Sequence, residues 1–203
     1  DERDSSRRER PCSGDGENGR GKTMNKEILI DGGHELFSRE GMNYSVFASD
    51  YQQIRYYTLL LIQHSRPKSD ERLLLEQQVS EIIKNAVKHG NGCDPAKQGK
   101  VWYKFSATEA RLIVEDEGAG FQDIEKWNLF NAKRQQYIEK EDFVALMNYV
   151  SWKTKKSDAY DGGNAMFAAL EYWNRGVVYS EKRNAVAVGK KFRSDPMEME
   201  GDE

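Results

Sequence analysis

Residues 73–92 constrain this chain more than any other stretch. Leu75, Val79, Ile82, Ile83, Ala86 and Val87 recur at helical spacing and predict one amphipathic helix with a buried stripe. Gly90 and Gly92 supply its C-terminal stop. Glu81 and Asn85 lie four residues apart, so both side chains leave the same face of that helix. A carboxylate one turn before a carboxamide, set beside a buried stripe, is an arrangement suited to a site as well as to a surface.

A second stretch adds to it. Residues 112–121 read as a short apolar strand, Leu112-Ile113-Val114, running into an acidic, glycine-rich turn, Glu115-Asp116-Glu117-Gly118-Ala119-Gly120-Phe121. Asp116 stands where the strand ends, and Gly118 and Gly120 let the backbone turn tightly and approach a ligand. The Asp-x-Gly-x-Gly turn alone is a weak signal. Preceded by Glu81-x-x-x-Asn85-Ala86-x-x-His89-Gly90, it is a strong one.

Together the two stretches resemble the N box and G1 box of the GHKL ATPase superfamily. Within it they are most similar to the anti-sigma factor serine kinases of bacterial partner-switching systems. The resemblance covers roughly residues 44–192. It implies the Bergerat fold, ATP with magnesium as the ligands, and a kinase that phosphorylates a serine or threonine on a small antagonist protein while also engaging a sigma factor or similar regulator. By the same resemblance Asn85 is the magnesium ligand and Glu81 the general base. Asp116 accepts a hydrogen bond from the adenine amino group, and Gly118 and Gly120 shape the adenine pocket. Lys88 and His89, in the rest of the N box, fall on the nucleotide side. Gly162 and Gly163 match the G2 box, where they hinge a lid and approach the phosphates. The family's early strand and helix build a homodimer interface, which makes a homodimer an expectation here.

Composition agrees with a globular protein. At 203 residues and 37% hydrophobic, the chain can bury one ordinary core. Its net charge of −3 calls for no nucleic-acid or anionic-membrane partner. No run approaches the ~18 apolar residues of a membrane span, and no signal peptide is visible. Cys12 and Cys93 form neither a disulfide framework nor a metal cluster, and read as reduced thiols of a cytoplasmic protein. Residues 1–23 balance six acids against six bases without an apolar pattern, and 194–203 are acidic, so both tails are expected to be disordered. One domain over 24–193 remains.

Taken in order, residues 27–30 and 44–48 predict strands. Ser49 or Asp50 caps a helix to about residue 64, with Ile54, Tyr57, Leu60 and Leu61 on its buried face. Ser69 or Asp70 caps the helix of the N box. Residues 100–106 and 111–115 form a hairpin, with Val101, Tyr103 and Phe105 on one face. His34-Glu35 resembles a phospho-accepting His-Glu pair, but the helical hairpin that would present it is missing, so a loop histidine is expected. Residues 122–161 form a lid longer than the family's, rich in aromatics, and predicted to carry helices of its own. Phe143, Leu146, Met147 and Val150 fit a helix with one apolar face. A helix follows at 165–174, burying Met166, Phe167, Leu170 and Trp173, then a closing hairpin at 177–188. The product is an α+β fold: a two-layer α/β sandwich, its sheet mixed but mostly antiparallel, with helices on one face.

Two positions depart from the family. Asn164 or Ala165 stands where the G2 box repeats its glycine, and Asn184-Ala185 replaces a Gly-Thr whose threonine lies near adenine. Two other readings therefore stand beside the kinase: a GHKL-fold switch that binds partners without catalysis, and a histidine kinase-type catalytic domain.

Overall fold

The computed structural model describes residues 27–192, apart from 64, 66, 68 and 154–162. The tails, Cys12 and Gly162 lie outside the described residues, as does the expected helix end at His64.

Six strands form one sheet in the order β1-β5-β6-β4-β3-β2. They are β1 (Ile28–Ile30), β2 (Asn43–Ala48), β3 (Gln98–Phe105), β4 (Glu109–Glu115), β5 (Gly176–Tyr179) and β6 (Ala185–Lys191). Only the β1–β5 pair is parallel. The sheet is thus mixed and mostly antiparallel, as predicted. Each hairpin is built by alternation: Val101, Tyr103 and Phe105 face the main core while Trp102 faces the other way.

Helices α1 (Ile54–Ile62), α2 (Ser69–Asn85) and α5 (Ala165–Tyr172) make the second layer, with α2 over β4, α5 over β5 and α1 against α2. The predicted α2 stripe is the centre of the core: Leu75, Val79, Ile83 and Val87 are fully buried. The α1 stripe differs from expectation. Ile54 and Leu61 are buried and Tyr57 packs against the core, as predicted, but Leu60 is 40% exposed while Thr58 and Ile62 face inward. Helix α1 begins only after a 3-10 turn capped by Asp50, which sets the buried face on the i, i+4, i+7, i+8 positions. Thr58 becomes tolerable there because its hydroxyl donates to the Ile54 carbonyl at 2.9 Å.

The far face of the sheet carries a loop rather than helices. Leu36, from a 3-10 turn over Glu35–Phe37, buries itself against Ile113, Val178 and Ala187. Arg111 holds this loop by donating to the carbonyls of Glu35, Leu36 and Ser38, the last at 2.6 Å. His34 is indeed a loop histidine: its Nδ1 accepts from the Leu36 N–H and caps the turn.

The described part of the 122–161 segment is largely helical. Helix α3 (Ile124–Glu139) is followed by the short α4 (Phe143–Leu146) and a 3-10 turn, Met147–Tyr149. Ile124 and Trp127 are fully buried in the main core. Asn128 pairs with the outer edge of β1, accepting from Ile28 N–H at 3.0 Å and donating to its carbonyl at 2.8 Å. One carboxamide thereby satisfies both outward backbone groups of Ile28 on this edge strand. Phe130 joins Tyr149, Trp152 and Phe167 in an aromatic cluster that ties the insertion to α5. Of the apolar face predicted from Phe143, Leu146, Met147 and Val150, Leu146 is half-buried and the other three are exposed, while Phe130, Tyr149 and Trp152 make the inward aromatic contacts.

Candidate functional site

The end of α2 does not stop as an ordinary helix. Ala86–Gly90 widens into one π-helical turn, a feature often found at functional sites. The reversal follows at Gly92 and Cys93, both with positive φ, at +69° and +57°. Between them Asn91 is 2% exposed. Its amide donates to Ser49 Oγ at 2.6 Å and to the Gln98 carbonyl at 3.0 Å, and its oxygen accepts from Glu117 N–H at 2.7 Å. Asn91 thus joins the end of α2, the end of β2, the start of β3 and the turn that carries Asp116.

That turn fits against the helix end with no room to spare. A Cβ on Gly90 would overlap the Asp116 carboxylate, and one on Gly118 would overlap the Gly90 carbonyl. Gly120 has φ +80° and lies against the Lys182–Arg183 backbone, where a side chain has no space. The glycines of the two motifs therefore let two backbones meet, and the meeting places Asp116 beside the end of α2.

A cavity of about 570 Å³ opens between α2, the sheet and the insertion. Glu81, Asn85, His89, Asp116, Gly120 and Gly163, predicted from two separate stretches and the G2-like segment, all line it. Lys88 and Gly118 are not among its lining residues, and Gly118 lies against the Gly90 carbonyl. Gly163 has φ +70°, and its carbonyl accepts from Trp152 N–H at 2.9 Å. Asn164, Ala165 and Met166, at the start of α5, complete that wall.

The site's electrostatics are uneven. Burial pushes the Asp116 carboxyl up to about 6, against its hydrogen bond from Gly118 N–H, and the neighbouring Glu115 charge adds to the rise. The opposite end holds an ion pair: Lys84 Nζ lies 3.3 and 3.4 Å from the two Glu81 oxygens. Lys84 also lines the cavity. Arg183, on the rim, pairs with Glu125 and donates to the Gln122 carbonyl.

Four further residues have a place at the site that the motifs do not assign. Lys84 is the ordinary residue before Asn85, and only the helical i, i+3 offset from Glu81 points to it. Asn184, at the departure from the family's Gly-Thr, donates its amide to the Asp116 carbonyl at 2.8 Å and returns a backbone bond to Asp116 N–H at 2.9 Å. Trp127 and Trp152 line the cavity from the insertion, where sequence shows only an aromatic-rich segment.

No family profile matches the chain. Among curated proteins it is similar to an anti-sigma F factor of Shouchella clausii (strain KSM-K16), at 25% identity over 91 residues. The match takes in 45% of this chain and 62% of that protein, so the chain spans less than two thirds of the relative's length. The similarity covers less than half of this chain, and the α+β architecture with a cavity between its layers is the setting in which it falls.

Proposed function

We propose that the chain is an ATP-binding regulator of the partner-switching kind: it binds a sigma factor or comparable regulator and transfers the γ-phosphoryl of ATP to a serine or threonine of a small antagonist protein. The observation that carries this reading is the convergence of Glu81, Asn85 and Asp116 on one cavity of about 570 Å³, a volume in the range of small-molecule sites.

The residues fit an adenine nucleotide. Asp116, at the sheet end, lines the cavity as an acceptor for an exocyclic amine, and the close-packed glycines of its turn hold it there. The N-terminus of α5, with Gly163 and Asn164, offers backbone N–H groups to phosphate. Asn85 would supply one oxygen to magnesium, the rest coming from phosphates and water. Magnesium, when bound, offsets phosphate charge during transfer. Glu81, one turn from Asn85, is placed to accept the proton of an attacking hydroxyl, once its contact with Lys84 opens.

That contact also supports a second reading, a switch that binds nucleotide and partners without turnover. Glu81 is engaged on both oxygens by Lys84. The two readings separate on one experiment: ATP turnover with and without candidate antagonist proteins, for wild type and Glu81→Gln. The kinase reading expects substrate-dependent turnover that falls by about 10²–10⁴-fold in the variant, with ATP binding retained. Partner binding without turnover in either protein contradicts it and leaves the switch. A homodimer is proposed through β2 and α1, where Tyr44, Val46, Tyr56, Leu59 and Leu60 are exposed.

A further inference from the structure

Tyr179 takes no part in the account so far, yet the sheet register aims it at the site. It pairs with Val186 across β5 and β6, and Val186 pairs with Val114 across β6 and β4. Residues directly opposite in neighbouring strands project from the same face, and all three line the cavity. Asp116 lies two residues beyond Val114 and lines the same cavity. Phe121 meets the Tyr179 ring edge to face, with centroids 5.8 Å apart, and so limits how the phenol can turn. Three strand ends therefore bring a carboxylate, the Asn184 carboxamide and a phenol to one end of the cavity.

Resting on the nucleotide reading above, we propose that Tyr179 is a specificity-determining residue: its hydroxyl donates a hydrogen bond to a ring nitrogen of the purine whose exocyclic amine Asp116 holds. An acceptor beside a donor is the pattern that an adenine edge complements, since its amine donates and its neighbouring N1 or N7 accepts. A 6-oxo purine reverses the first of these and sets a carbonyl oxygen against the carboxylate. Burial, with the Asp116 charge adding to it, holds the phenol's pKa above its ordinary value of 10.0. The hydroxyl therefore stays protonated, as a donor must.

The test is calorimetric titration of wild type and Tyr179→Phe with ATP, GTP, 1-deaza-ATP and 7-deaza-ATP. The phenylalanine keeps the contact with Phe121 and removes only the hydroxyl. The expected result is a loss of about three- to tenfold in ATP affinity, as for one neutral hydrogen bond, with GTP affinity unchanged and the preference for ATP reduced by that factor. Wild type should lose the same factor with one of the two deaza analogues, and Tyr179→Phe should be indifferent to that replacement. Equal ATP affinity in both proteins overturns the proposal, as does wild type binding both analogues as tightly as ATP. The analogue arm needs only wild type, so it stands even if the variant fails to fold. Absence of ATP binding by wild type is a different result, and overturns the nucleotide reading itself.

Discussion

Asp116 is ionised at a cost, because the cavity wall and the Gly90 backbone take away much of its water. Its carboxyl sits at about 6 instead of the ordinary 3.8, so the folded chain holds this proton more tightly than the unfolded chain does. The stability contributed by this group is therefore greatest below pH 3.8 and declines as pH rises from there to about 6. Ligand binding runs the other way, since an amine donor needs the carboxylate. Apparent ATP affinity should weaken about tenfold between pH 7 and pH 5, the competent fraction falling with protonation. Asp116→Asn should lose about ten- to hundredfold in affinity, as for a hydrogen bond to a charged group, and flatten the pH profile; titration across that range checks both. Gly90→Ala is a sharper test of placement. Its methyl group displaces the Asp116 carboxylate without altering it, so ATP affinity should fall about tenfold or more while the Asp116 side chain remains present. Wild-type affinity in Gly90→Ala would contradict the close approach.

At the scale of the element, α2 and its π turn carry the site, and Asn91 fixes them to the sheet. Asn91→Ala takes away the partner of the fully buried Ser49 hydroxyl and of the half-buried Glu117 N–H and Gln98 carbonyl bonds. A loss of about 2–3 kcal/mol is expected, read as a lower denaturant midpoint with an unchanged slope. A change within a few tenths of a kcal/mol would show that the network matters little. Elements of this kind differ in how legible they are. The α2 stripe and the β3–β4 hairpin are readable because burial of one face imposes a period of 3.6 or 2 on the residues. The helical stop is readable from glycine. Asn91 is not, since an asparagine between two glycines is equally a solvent-facing turn residue. Helix α3 is hard to delimit for another reason: Ile124 and Trp127 are buried, but Glu125, Lys126, Lys133, Arg134 and Glu139 dilute the pattern. In α1 the apolar residues outnumber the inward positions, so composition alone does not choose between Leu60 and Ile62.

For the whole molecule, strand order is the least local property. Nothing in residues 28–30 says that they lie parallel to 177–179, nearly 150 positions later, and the Asn128 pairing that closes that edge joins two elements 100 residues apart. The family resemblance supplies the architecture that periodicity leaves open. It also suggests the roles proposed for Asn85, Glu81 and Asp116, whose joint placement on one cavity no single motif requires. The places of Lys84 and Tyr179 come from the folded arrangement, as do the bonds that tie Asn184 to Asp116. The central claim is that this arrangement is a nucleotide site. The most direct test is calorimetric titration of Mg-ATP into wild type and Asn85→Ala. The account predicts micromolar binding in wild type, weakened about tenfold or more in the variant through loss of a metal ligand. No heat of binding in wild type would contradict it.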